Sequence, residues 1–227
     1  MPGGHIDREF DAELDELRRR LIVMGGRVEE MIARSVQALV ERDVDEARRI
    51  IAEDEKVDAD ELECDDLCLM VLVRRQPMGS DLRFITLALK MVTDLERIGD
   101  LAVNIAERAI DLASEPPLKP WRDVPRMAEV VQSMVHDAID AFVRRDPALA
   151  EALIERDDEV DSVYSSVVHE LVELMAKDPD TIERAIHVLS VAKWLERMAD
   201  HATNLAEHVI FLERGTDVRH GGRQATG

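Results

Sequence analysis

The sequence predicts an all-α protein: six long helices in two tandem up-down-up three-helix bundles related by an internal repeat. Three observations predict this. Apolar residues recur at spacings of three and four along the chain, and no stretch alternates as a strand would. Glycine and proline, 10 and 8 of 227 residues, gather in a few clusters that punctuate long segments. The chain also repeats itself. Residues 95–107 (LERIGDLAVNIAE) lie over 195–207 (LERMADHATNLAE) at an offset of 100, with eight of thirteen positions identical. Upstream, residues 54–58 lie over 157–161 at an offset of 103. The three-residue difference falls in a loop, where an insertion costs least.

The elements follow in order. The first helix is expected over residues 7–42, loosened at Gly25-Gly26. Asp43 opens the second, with Glu46 three residues on completing a capping box, and this helix runs to Arg75. Gln76-Pro77-Met78-Gly79 breaks the chain, and Ser80 is the expected N-cap of a third helix over 81–113. Residues 114–120 carry three prolines and form the longest loop. A fourth helix spans 122–145. Asp146-Pro147 caps and opens the fifth, since proline suits a first helical turn. Asp178-Pro179 ends it, and Asp180 with Glu183 forms a second capping box for a sixth helix ending near Leu212. The domains are therefore 1–114 and 121–213, one three-helix bundle each, followed by a flexible tail over 214–227. Short connections make neighbouring helices antiparallel, and amphipathic stripes bury each other in such a bundle.

Composition narrows the partners. Against 29 Lys+Arg stand 49 Asp+Glu, a formal charge of −20, which repels a phosphate backbone and argues against nucleic acid. With seven aromatic residues there is no stacking platform for single strands. Cations and basic protein surfaces are the partners such a charge attracts. The first twenty residues lack an apolar signal core, and the longest apolar run, residues 67–73, is far short of a membrane span. The expectation is a soluble, cytoplasmic protein. Cys64 and Cys68, one helical turn apart, read as core-edge thiols, since no further soft ligands stand nearby for zinc.

The repeated segment is where chemistry is expected. At 100° per residue, Glu96, Asp100, Asn104 and Glu107 share one helix face, and Glu196, Asp200, Asn204 and Glu207 do the same. Asp54 with Asp58, and Asp157 with Asp161, form acid pairs on the preceding helices, and antiparallel packing brings each pair towards its Glu-x-x-x-Asp partner. Four converging carboxylates repel, and a bound divalent cation removes the penalty; all-oxygen ligation suits Mg²⁺, Ca²⁺, Mn²⁺ or iron. The alternative is a solvated acidic face, with Arg97 and Arg197 neutralising it without metal. A di-iron oxidase would need Glu-x-x-His, and none of the seven histidines has a glutamate three residues before it. His201 and His208 flank the second stripe without counterparts in the first, and read as surface or satisfied histidines. No nucleophile–base–orienter set and no phosphate-cradling glycine loop is visible; a metal-dependent helical-bundle enzyme and a metal-free structural dimer stay open as alternatives.

Four segments together carry a resemblance: 24–29 (MGGRVE), 75–83 (RQPMGSDLR), 95–100 (LERIGD) and 216–220 (TDVRH). The chain resembles the PhoU family over essentially its whole length, with Met198-Ala199 where the family commonly has Ile-Gly. That resemblance implies a non-enzymatic adaptor between the high-affinity phosphate ABC transporter and a membrane sensor histidine kinase. Such an adaptor keeps the phosphate-starvation response off when phosphate is plentiful, and is often a homodimer. It implies metal clusters on the acidic motifs, which here means Asp54, Asp58, Glu96, Asp100, Asp157, Asp161, Glu196 and Asp200 as ligands. The residues leave the metal open among iron, Mg²⁺, Mn²⁺, Zn²⁺ and Ca²⁺.

Overall fold

The computed structural model describes residues 3–116, 118 and 123–215. The proposed tail, including the 216–220 motif, and most of the linker lie outside the described residues. Seven α-helices follow one another: α1 (Gly3–Glu41), α2 (Val44–Arg75), α3 (Ser80–Leu112), α4 (Asp123–Arg144), α5 (Pro147–Ile154), α6 (Asp157–Lys177) and α7 (Ile182–Arg214). Among the described residues there is no strand. The six-helix plan holds, with the fifth helix divided into α5 and α6.

The helix ends show which local signals won. Asp43 caps α2 by accepting a hydrogen bond from the Glu46 amide at 2.9 Å, a contact worth about 1 kcal/mol. The reciprocal half of that box is absent: Glu46 turns to Arg34 at 2.6 Å, and the Asp43 amide donates to the Ala38 carbonyl. Asp146 caps α5 as expected, accepting from the Ala148 and Leu149 amides ahead of Pro147. Ser80 is not a cap but the first residue of α3; Gly79, at φ 60°, takes the N-cap place, in backbone that a side chain would strain. The expected Asp180–Glu183 box also fails. Asp178 caps a single 3₁₀ turn over Pro179–Thr181 instead, and α7 starts from Thr181 without a side-chain cap. Helix α7 reaches Arg214, and Gly215 ends it in the left-handed conformation.

Two further differences are tertiary in origin. Helix α1 runs unbroken through Gly25-Gly26, because Gly25 is a contact point: a Cβ there would lie 2.7 Å from Ile139 Cδ1 on α4. The fifth helix tightens at Glu155-Arg156, where the Arg156 amide bonds the Leu153 carbonyl three residues back and its guanidinium holds Asp137 of α4 at 2.7 Å.

Each repeat packs up-down-up. Arg75 at the end of α2 pairs with Glu13 near the start of α1, while Arg42 after α1 reaches the Leu112 carbonyl at the end of α3. The two repeats then pack side by side, α1 on α4 and α3 on α7, with α2 and α6 on the outer flanks. One continuous core results, filled by Leu21 and Met24 of α1, Leu95 and Ile105 of α3, Met127 of α4 and Leu195 and Met198 of α7. Helices α3 and α7 run antiparallel across a local two-fold. Asp94 meets His208, while Arg108 lies over the Trp194 ring, and the offset of 100 exchanges one contact for the other.

Candidate functional site

The first acidic face lies along α2 and α3. Gly99 lets the two helices approach closely, since a Cβ there would be 3.2 Å from Val57 Cγ1. Asp54 and Asp58 lie to either side of Val57 in the chain, and Asp54 feels the charges of both Asp58 and Asp100. Burial pushes the Asp54 carboxyl up to about 6, helped by the charges of Asp58 and Asp100. Burial, with Asp100 beside it, pushes Glu96 up to about 7 despite the opposing charge of Arg97. Arg97 spans the motif, 3.4 Å from Glu96 Oε2 and 3.2 Å from Asp100 Oδ2.

The second face repeats the arrangement on α6 and α7. Burial, then the charges of Asp200, Asp161 and Glu196, push Asp157 up to about 6. Asp200 is raised by burial and by Glu196. Here the neutralising cation is Lys193, 2.6 Å from Glu196, while Arg197 is exposed and makes no ion pair among the described residues. Within each repeat these acids raise one another's pKa: Asp58 and Asp100 act on Asp54 and Asp100 on Glu96 in the first, and Asp161, Glu196 and Asp200 act on Asp157 in the second.

A divalent cation fits the charge of these faces better than their present shape. The carboxylates are oxygen donors held together at an electrostatic cost that a cation would relieve. Among the described residues, however, no three His, Cys, Asp or Glu side chains converge on one ion position. The flanking residues divide. Asn104 is half-buried and Glu107 exposed on the first face, and Glu207 is half-buried on the second. Asn204 donates towards Asp94 Oδ1 at 3.4 Å, across the seam between the repeats.

Two features escaped the sequence reading. Glu61 extends the first face: burial and its neighbours Asp65 and Asp58 raise its carboxyl. The spacing 54, 58, 61, 65 was a helical stripe in plain view. The other is a seam cluster, in which Asp94 receives His201 Nδ1 at 2.9 Å on one oxygen and His208 Nε2 at 3.1 Å on the other. Burial alone would raise Asp94, but these two hydrogen bonds hold it below the ordinary carboxylate range. The two histidines are satisfied, as expected, but by a partner on another helix that no local pattern marks. Cys64 and Cys68 are free and buried, their thiols pushed by burial to about 11 and about 12.

Fold and faces together define a class: a tandem three-helix-bundle repeat protein that carries one acidic face per repeat. The family model described as the PhoU domain matches it twice, over residues 21–109 and 124–209. The chain belongs to the PhoU family. It is 44% identical over 219 residues to the phosphate-specific transport system accessory protein PhoU homolog of Pseudomonas putida, covering 96% of this chain and 86% of that one. The PhoU protein of Escherichia coli K12 is 33% identical over 218 residues, covering 96% and 90%. Among solved structures, PhoU from Pseudomonas aeruginosa superposes with a TM-score of 0.88 at 41% identity, over 91% of this chain and 100% of that one. The phosphate transport system regulatory protein PhoU from Streptococcus pneumoniae gives 0.86 at 29% identity, over 92% and 99%.

Proposed function

We propose that this protein is a cytoplasmic regulatory adaptor. It couples the high-affinity phosphate ABC transporter to a sensor histidine kinase and represses the phosphate-starvation response when phosphate is plentiful. The observation that carries the reading is the similarity, across both repeats, to accessory proteins of the phosphate-specific transport system. It is supported by a shape made for docking. Among the described residues no helix is long and apolar enough to cross a membrane. The turn between α2 and α3 exposes Leu69, Val73, Met78 and Leu82, an apolar tip of the kind partners cover. A bound adaptor turns a kinase off by favouring its off state over its on state.

In this reading the acidic faces bind divalent or transition metal, with Asp54, Asp58, Glu96 and Asp100 holding it in one repeat and Asp157, Asp161, Glu196 and Asp200 in the other. The cation supplies charge that Arg97 and Lys193 provide in its absence, and fixes the spacing of α2 to α3 and of α6 to α7. The working unit is a homodimer. Two measurements test the proposal separately. Deleting the gene should leave phosphate-responsive genes on in rich phosphate, and continued repression refutes the regulatory role. Metal content of purified protein should fall when Glu96→Ala and Glu196→Ala are combined, and unchanged content refutes the ligand assignment.

A further inference from the structure

A concavity lined by three arginines lies at the corner where α1, α3, α4 and α7 meet. A cavity of about 280 Å³ is lined by Arg18 of α1, Arg83 of α3 and Arg145 after α4, with Ser80, Asp81 and Glu213 between them. Their positions are built. Arg18 is anchored over the Phe84 ring at 5.1 Å and by Asp15 at 2.8 Å. Arg83 stacks 5.7 Å from Phe211 and gives one hydrogen bond, 3.3 Å, to the Leu212 carbonyl. Its remaining N–H donors have no acceptor among the described residues. Arg145, held at φ 54°, stands 3.9 Å from Glu213.

The other repeat supplies an internal control. At an offset of 100, Ser80 becomes Asp180 and Arg83 becomes Glu183. At an offset of 103, the counterpart of Arg145 is Arg42, whose donors go to the Leu112 and Glu115 carbonyls. The fold therefore does not require this arginine set, since the equivalent corner lacks it.

We propose that the corner cavity binds inorganic phosphate as hydrogenphosphate. Three guanidinium groups and the Ser80 hydroxyl supply donors to the charged oxygens. Of Asp81 and Glu213, which would repel an anion with no proton to give, one accepts the single hydrogen that hydrogenphosphate carries, and Glu213 is also offset by Arg145 beside it. Sulfate and the dianion of a phosphate monoester have no such hydrogen. The pocket thus takes the free ion, and lies apart from the acidic faces. Binding to pure protein is independent of the regulatory reading, so failure of one leaves the other standing.

The test is calorimetric titration of the full chain with inorganic phosphate at low ionic strength, with sulfate and O-phosphoserine as competing probes. Saturable phosphate binding is expected, weakened roughly tenfold or more by Arg83→Gln or Arg145→Gln, the loss of about one charge-assisted contact. Arg74→Gln, at an exposed arginine on α2, should leave it unchanged. Arg145 is exposed, and among the described residues its side chain makes one long contact, to Glu213, so its variant reports on binding even if the Arg83 variant disturbs the end of α7. Asp81→Asn with Glu213→Gln should erase the preference for phosphate over sulfate. No saturable phosphate binding, equal affinity for sulfate in the wild type, tighter binding of O-phosphoserine, or an equal loss in Arg74→Gln would each overturn the assignment.

Discussion

In the presence of a chelator, this protein should become more stable as the solution is acidified from about pH 7.5 to about 5.5, against the usual direction for an acidic protein. The cause is the set of carboxyls held above their ordinary values, Asp54 and Asp157 at about 6 and Glu96 at about 7. A carboxyl with a raised folded-state pKa binds its proton in the native state before the unfolded chain does. Each such group therefore adds stability as pH falls through the folded value, and the gain is complete near pH ~4, the unfolded value. At about 1.4 kcal/mol per pKa unit, the three groups give a nominal sum of about 9 kcal/mol for the whole fall to pH ~4, of which roughly 3 kcal/mol lies between about pH 7.5 and 5.5. They sit at the edge of solvent, so screening reduces this to about 1–3 kcal/mol. For a chain of this size that is a rise in Tm of about 3–8 °C. His136 adds to the same slope, since its hydrogen bond to Glu29 raises its pKa and is worth most when the ring is charged. Asp94 acts the other way, but only as pH falls through its lowered folded value, below this window. Thermal melts across the range, in chelator and then in saturating Mg²⁺ or Mn²⁺, measure the effect. The cation should flatten the slope by keeping the carboxylates ionised, and Asp54→Asn with Glu96→Gln should reduce it. A Tm that stays level or falls on acidification in chelator refutes the electrostatic account.

Three further outcomes follow from the packing. Asp94→Ala removes the acceptor of two histidines and should cost about 2–4 kcal/mol in urea unfolding; a loss below about 1 kcal/mol would mean the seam does not depend on it. Gly25→Val places a branched side chain against Ile139 and should cost about 1–3 kcal/mol, with a good part regained in the double variant with Ile139→Ala; strictly additive losses would show that the two do not touch. Cys64 and Cys68 should resist thiol reagents in the native protein and react on denaturation, because buried thiols with raised pKa carry little thiolate; rapid native labelling contradicts their burial.

What the sequence shows and what it hides separate by the range of the interaction. Helix type, the two-repeat plan and the repetition of an acidic face in each half were legible because each rests on periodicity within a helix or on an offset between equal segments. The Asp43 and Asp146 caps were legible for the same reason, being contacts over two or three residues. The misreadings came where a distant partner decided. Gly25 looked like a weak point in α1 and is a contact with α4. The break at Glu155-Arg156 goes with a bond to Asp137, 19 residues away, and nothing local announces it. Asp94 lies 107 residues from His201, so neither segment alone identified the cluster.

The repeats differ at several positions where the two-fold brings them together, and that has a physical reason. Residues on an outer flank meet the same environment in both copies, so Asp54 and Asp157, or Glu96 and Glu196, can stay alike. A residue at the seam faces its own counterpart's neighbourhood, where identical charges would repel. Divergence resolves the conflict. Asp94 against His208 makes one half of the seam ionic, while its equivalent, Trp194 against Arg108, makes the other a cation–π contact. The corners diverge likewise, one carrying Ser80 and Arg83 and the other Asp180 and Glu183. The duplicated acidic faces are thus the part of the molecule built to do one thing twice. The seam and its two corners are where the two copies are free to differ, and the arginine cavity is the clearest such difference.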